Sequence, residues 1–423
     1  MESGSFYRAM WRWHFYAGLI VLPVLALMAV TGALYLYKPE IERAVYHDRI
    51  VVRPGGALLP PSRLVAAVEK ASGGAVSQMQ RPAAADESWR LTVGGTVWFV
   101  DPHDGRILGR LADGGVMRTV RDLHSLALAG PVGNRLVEVV AGWAILLCVT
   151  GLYLRWPRAG NRVLALRGRP GGRLFWRDLH GSVGFLAAGA ILFLAVTGMP
   201  WTSVWGGGLR GLIAERGLGR PSAAVIPWSA PVKEVLPWAL REGGAVPGGS
   251  GPGGSGPGGS GGVGVDEIVR IAEGRGLKGG VMIGFPASAG MPWLVSAQAV
   301  KAQDAHVLTI DAGSGAVAQD VDWRMFGGGA RAVEWGVATH QGLEYGEANR
   351  LLMLAGCLCL LLLCLTAPLL WWKRRLGEPP AAGLREKRVV AGLMLGLGLV
   401  FPLTGASMAA ALAGEWVWER LRG

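Results

Sequence analysis

A chain of 423 residues that is 51% hydrophobic and only 17% charged is too apolar for an ordinary soluble protein of this length. Its formal charge of +12 is concentrated in arginine clusters between apolar runs, which is a membrane-topology pattern and excludes the need for a nucleic-acid partner. Four cysteines, Cys148, Cys357, Cys359 and Cys364, all fall inside apolar runs, so no disulfide is expected and they read as small packing residues.

Five runs are long enough for a hydrocarbon core that needs about 20 apolar residues as helix: residues 15–37, 136–156, 181–204, 350–372 and 389–412. The first is too long for the apolar region of a signal peptide and reads as a retained anchor. The segment between the second and third runs carries Arg155, Arg158, Arg162, Arg167, Arg169, Arg173 and Arg177. The segment between the fourth and fifth carries Lys373, Arg374, Arg375, Arg385, Lys387 and Arg388. Short arginine-rich segments stay in the cytoplasm. Five spans would then leave the N-terminus inside and the C-terminus outside.

In chain order the first span (11–37) is followed by an extramembrane segment, 38–120. Ser62–Ala71 has helical periodicity, and Trp89–Val93 and Thr96–Val100 are strand-like around a two-residue Gly94-Gly95 turn. Asp101–Gly105 is a further turn, with Arg106–Leu108 returning. The second span follows within 121–158 and the third within 176–204. The second extramembrane segment, 205–335, repeats the theme. Asp266–Glu273 is helical, Trp293–Ser296 and His306–Ile310 are strand-like, and Asp311–Gly315 stands for Asp101–Gly105. Ahead of it, residues 243–262 are nearly all Gly, Pro and Ser, a linker composition. The fourth span lies in 336–375 and the fifth in 388–412. The expected fold is an all-α membrane bundle of five helices, internally duplicated, with two small α+β modules outside the membrane.

The duplication is marked by histidines. Trp11-Arg12-Trp13-His14 opens the first span and Trp176-Arg177-Asp178-Leu179-His180 the third. Each histidine lies 17 positions before a Thr-Gly pair, Thr31-Gly32 and Thr197-Gly198, and four before a glycine, Gly18 and Gly184. His124 precedes the second span and His340 the fourth, each 26 positions before Thr150 or Thr366. Run five repeats the pair as Thr404-Gly405, but Lys387 stands where the histidine is due, so this helix reads as an addition without a ligand. The Thr-Gly pairs themselves read as close helix packing, with threonine hydroxyls bonded to backbone carbonyls. Pseudo-two-fold symmetry pairs His14 with His180 near the cytoplasmic face and His124 with His340 near the outer face. Two neutral imidazoles facing each other in a bundle are an axial pair for haem b, so two haems are expected, with Gly18 and Gly184 leaving clearance for the macrocycle. His47, His103 and His306 have no counterpart in the other copy and read as surface residues. The short cytoplasmic segments leave no room for a nucleotide-binding βαβ unit.

These residues resemble the PepSY-associated transmembrane proteins of bacterial inner membranes. The resemblance rests on the Trp-Arg approach to the histidines, the Thr-Gly pairs, the tryptophan-rich basic end of the fourth span and the Thr197–Gly206 string (TGMPWTSVWG). It covers nearly the whole chain except 243–262, and departs at Thr366-Ala367. It implies that the two modules are PepSY-like domains, and that the protein is a haem-containing ferric-siderophore reductase like some members of that family. Its partners would be the lipid bilayer, a ferric siderophore or other ferric chelate at the periplasmic face, and an electron donor that is a quinol or a separate reductase. Trp201, Trp205 and Trp335 are the candidate docking aromatics. The alternative reading is a membrane anchor whose modules bind or regulate periplasmic proteases, without redox activity.

Overall fold

The computed structural model describes residues 3–157, 163–219, 262–277, 279–288, 291–373, 392 and 395–422. The helices and strands in chain order are α1 (Ser3–Tyr35), α2 (Lys38–Val45), α3 (His47–Ile50), α4 (Pro61–Ser72), β1 (Gln78–Arg81), β2 (Trp89–Val93), β3 (Thr96–Val100), β4 (Ile107–Leu111), α5 (Gly115–His124), α6 (Gly130–Arg155), α7 (Arg173–Gly198), α8 (Val204–Glu215), α9 (Val265–Gly274), β5 (Val281–Gly284), β6 (Trp293–Ala297), β7 (His306–Ile310), β8 (Val317–Asp322), α10 (Gly328–His340), α11 (Glu347–Trp372) and α12 (Pro402–Arg422). They form two units. One takes Met1–Leu36, Val120–Gly211 and Thr339–Gly423, the other Tyr37–Thr119 and Leu212–Ala338.

The first unit is a helical bundle. Among the described residues four helices are long and apolar enough to cross a membrane: Phe6–Tyr35, Ala127–Arg155, Arg173–Trp201 and Glu347–Trp372. An apolar run of this length becomes a helix in lipid because only a helix satisfies every backbone group within the segment. Both α1 and α7 pack against both α6 and α11, so the four close a ring. Ala9, Met10, Ala17, Val21 and Leu25 of α1 pack with Val140, Trp143, Ala144 and Leu146 of α6 and Cys364 of α11. Small residues allow close approach, as at Gly356, which faces Leu194 and Ala190.

The fifth run is not among these four, and its residues 389–391, 393 and 394 lie outside the described residues. The described part, from residue 395, is helical to residue 400, breaks at Phe401 and restarts at Pro402. The backbone doubles back so tightly that a Cβ on Gly405 would lie 2.4 Å from Gly398 Cα. Pro402 has no N–H to continue the helix, and two glycines without side chains let the two limbs touch. Residues 402–422 then follow α6 in its own direction. Phe401 stacks on Trp205, whose N–H is bonded to Glu138, while Thr404 lies against Gly142 and Ser407 accepts the Trp143 indole N–H. The chain therefore returns towards the end where α6 finishes and α1 begins, not to the opposite face. Residues 158–162 and 374–391, which hold Arg158, Arg162, Arg374, Arg375, Arg385, Lys387 and Arg388, lie outside the described residues, as does the 243–262 stretch except Gly262.

The second unit corrects the picture of two separate modules. One eight-stranded antiparallel sheet runs in the order β4-β3-β2-β1-β5-β6-β7-β8. The two four-stranded copies are joined at a seam, β1 against β5, with Met79 opposite Ile283 and Gln80 opposite Met282. Helices α4 and α9 share one core with the sheet: Leu64, Val65 and Val68 from α4, Ile268 and Ala272 from α9, and Met79, Leu91, Ile283, Val295 and Leu308 from the strands. Ser62 ties the two helices together by donating both its N–H and its hydroxyl to Asp266. The hairpin between β2 and β3 has the expected glycines, both at positive φ (+53° and +83°), as a twisted two-residue turn requires. The repeated Asp-to-Gly turns are also alike. Gly105 N–H bonds Asp101 O at 3.0 Å and Gly315 N–H bonds Asp311 O at 3.0 Å. Strands β1, β5 and β8 are not legible in advance. Gln78-Met79-Gln80-Arg81 has one apolar residue, and Val281–Gly284 is four residues in a glycine-rich neighbourhood.

Candidate functional site

The bundle brings the four repeated histidines together in two pairs, each within the first unit. His14 of α1 meets His180 of α7 with ring centres 6.5 Å apart and planes at 86°. His124, closing α5, meets His340, closing α10, again with centres 6.5 Å apart and planes at 77°. None of the four is fully buried and none is exposed. The 17 residues from His14 to Thr31, where His124 is held, put the two levels roughly 25 Å apart along a helix rising 1.5 Å per residue.

Each imidazole is held through Nδ1 by a threonine from a neighbouring helix of its own copy. Thr150 Oγ1 lies 2.8 Å from His14 Nδ1, and Thr366 Oγ1 2.8 Å from His180 Nδ1. Thr31 and Thr197 lie 3.0 Å and 2.9 Å from His124 and His340. Three of these are the threonines of the recurrent Thr-Gly pairs, and the fourth, Thr366, precedes Ala367. Their expected role in packing is partly what is seen, since each hydroxyl also bonds the carbonyl four residues back. Their role as histidine partners goes beyond that expectation: the constant spacings of 17 and 26 join each histidine to a threonine that holds a different ring, and the bonded pairs lie 93 to 186 residues apart. The glycines of the pairs make room for the rings. A Cβ on Gly151 would lie 3.1 Å from His14 Cε1, one on Gly32 3.2 Å from His124 Cε1, and one on Gly198 3.8 Å from His340 Cε1. Gly18 and Gly184, one turn from His14 and His180, face Leu147 and Leu363 at ordinary contact, 3.7 Å and 3.6 Å.

An ion bonded to both imidazoles at about 2.0–2.1 Å per nitrogen requires ring centres roughly 6.4 Å apart. Both pairs meet that distance. Among the described residues no group of three or more His, Cys, Asp or Glu side chains gathers to hold a metal ion. Two imidazole donors alone are too few for a bare cation, so a metal held by either pair would have to bring further ligands of its own.

Other polar groups frame the bundle. At the end holding His14 and His180, Asp178 is fully buried and takes hydrogen bonds from Arg155, Arg167 and Arg177, and Arg155 also reaches Ser182 and the Val163 carbonyl. Further along α6, buried Glu138 accepts the N–H groups of Val204 and Trp205 at 3.0 and 3.1 Å, fixing the start of α8. A carboxylate at a helix N-terminus is favourable on both hydrogen-bonding and dipole grounds. Trp205 is thereby packed on Phe401, whereas Trp201 and Trp335 are each 38% exposed. In the Thr404-Gly405 pair, Thr404 lies against Gly142 and its hydroxyl bonds no histidine. His47 is exposed, as expected for a surface residue, and His306 bonds Asp320 at 2.7 Å. His103 departs from the expectation, because both its ring nitrogens are shut off from solvent without a hydrogen-bond partner. All four cysteines are free.

Four membrane-length helices, a two-fold sequence repeat and histidines paired at two levels define a duplicated membrane bundle with two imidazole-lined centres. The chain belongs to the family described as PepSY-associated TM region, whose model matches residues 11–374. No curated protein matches the chain closely enough to add a second comparison.

Proposed function

We propose that this protein is a di-haem b electron-transfer protein of the bacterial inner membrane that reduces iron(III) held by a periplasmic chelator, a siderophore in the first instance. The observation that carries the reading is the pair of imidazole pairs, each with ring centres 6.5 Å apart. His14 and His180 would hold the haem at the cytoplasmic level, and His124 and His340 the one at the periplasmic level. Bound there, haem b supplies reversible one-electron chemistry at each level. The residues present support that role and little else. With both histidines of each pair holding it, the group would supply electron transfer rather than oxygen activation. The threonines keep the rings in place. Electrons from a quinol or a reductase would enter at the His14–His180 end and leave at the His124–His340 end. Iron(II) is held far more weakly than iron(III) by hard oxygen ligands, so reduction frees the metal from its chelator.

A visible spectrum of the purified protein, oxidised and then dithionite-reduced, tests the reading. The expected result is a Soret band and b-type α-bands from two haems per chain, reoxidised on addition of a ferric siderophore. Protein purified with ample haem that shows no Soret band overturns it, and leaves the protease-binding anchor as the working alternative.

A further inference from the structure

We propose that Thr31, Thr150, Thr197 and Thr366 are positioning residues that fix the tautomer of the four histidines, holding the proton on Nδ1 and leaving Nε2 as the donor nitrogen each time. A threonine hydroxyl has one proton and two lone pairs. Thr31 Oγ1 lies 2.6 Å from Leu27 O, Thr150 Oγ1 2.8 Å from Leu146 O, Thr197 Oγ1 2.6 Å from Phe193 O and Thr366 Oγ1 2.9 Å from Leu362 O. A carbonyl cannot donate, and two oxygens this close without a proton between them repel. The hydroxyl proton is therefore committed to the backbone, and only lone pairs face the imidazole. The contacts of 2.8–3.0 Å to Nδ1 then require that Nδ1 carries a proton and donates it. The other tautomer would set two acceptors against each other in an apolar bundle, where an unmet polar contact is costly.

The consequence for a ligand follows from the chemistry of the acceptor. A carboxylate at Nδ1 would draw the proton and make the ring a stronger, partly anionic donor. A neutral hydroxyl whose own proton is already engaged leaves a neutral imidazole with a fixed lone pair on Nε2. The arrangement recurs four times, and no threonine serves a histidine of its own helix. Thr31 of α1 orients His124 while Thr150 of α6 orients His14, and the second copy does the same. Each copy thus sets the protonation of its own two rings, and the pairs form between copies. The tautomer rests on hydrogen-bond geometry alone, whereas its use in haem ligation rests on the function proposed above.

Thr150→Val removes the acceptor at constant shape, and Thr150→Ser keeps it. In histidine-labelled protein free of haem, NMR of the ring nitrogens and carbons should show His14 in the Nδ1–H form in wild type and Thr150→Ser. In Thr150→Val that signal should be lost or mixed. In haem-loaded protein, Thr150→Val should weaken haem retention at one centre about 10- to 100-fold. It should also raise that centre's midpoint potential, with a tenfold change in its reduced-to-oxidised ratio (about 59 mV for one electron) as the scale. The other centre should be unchanged, Thr31→Val should do the reverse, and Thr150→Ser should restore wild-type values. Wild-type tautomer signals and unchanged potentials in both valine variants overturn the proposal. A wild-type protein that takes up no haem defeats the haem reading, and the tautomer is then decided by the haem-free spectra.

Discussion

In the first copy of the repeated unit, Thr150 holds His14 at 2.8 Å and Thr31 holds His124 at 3.0 Å. In the second, Thr366 holds His180 at 2.8 Å and Thr197 holds His340 at 2.9 Å. A step away from these atoms the copies differ. Gly151 follows Thr150, but Ala367 follows Thr366. Two residues after His124, Leu126 adopts the left-handed conformation at φ +50°, which Gly342 adopts at +74° two residues after His340. Asp178, with its three arginines, stands one residue beyond Arg177, where the first copy has Trp13 after Arg12. Histidine and threonine are 136 and 93 residues apart in the first copy but 186 and 143 in the second. Both separations grow by 50, so the extra length lies between Thr197 and His340 and leaves the pairs untouched. What the two copies keep in common is the set of atoms that aims four imidazoles. What they let vary is the connection, the turn and the charge around them.

The strongest way to break this comparison is to remove a ring from each copy. If the pairs form between copies as the geometry has them, His14→Ala and His340→Ala should each abolish one of two centres, about half the haem per chain by pyridine haemochrome. Combining the two should abolish both. A single variant that keeps full haem and an unchanged spectrum would refute that ligand pairing.

The seam between β1 and β5 offers the next test, because it makes the copies interdependent outside the bundle. Met79 is fully buried and faces Ile283 across the seam. Met79→Ala should cost about 2–4 kcal/mol through lost burial and the cavity left behind. Hydrogen exchange should report lost protection in β5–β7 as well as β1–β3. Loss confined to the first copy would mean that the halves of the sheet are energetically separate.

The smallest effect concerns the two left-handed residues. Leu126→Gly should raise thermal stability slightly, by up to about 1 kcal/mol, since a branched side chain at positive φ is strained. Gly342→Ala should lower it by more, because its Cβ would also lie 3.0 Å from Arg350 Cα and 3.1 Å from Leu36. Equal effects of opposite sign would show that only backbone conformation, and not packing, separates the two turns.

Much of this molecule is readable from residue order. Runs of apolar residues mark four membrane-length helices because lipid leaves the backbone no other solution. Strands β2, β3 and β7 start and end where the alternation and the Gly94-Gly95 turn place them, since a local pattern with a defined turn fixes its own register. The constant spacings single out His14, His124, His180 and His340 without any coordinates, because a duplication repeats whatever the site requires.

Tertiary structure decided the rest, and in each case the deciding contact joins residues far apart in the chain. Gln78–Arg81 lies between nearby β2 and Val281–Gly284, some 200 residues away, and nothing in its own composition marks it as the strand that joins the two halves of the sheet. The fifth apolar run folds back on itself because Gly398 and Gly405 can touch on either side of Pro402, which a hydropathy count does not register. The threonines turned from packing residues into histidine partners only when a second helix carried a ring to within 3.0 Å of each. Periodicity along one helix fixes which residues share a face. Which residue of another helix meets them is set by ring closure among α1, α6, α7 and α11.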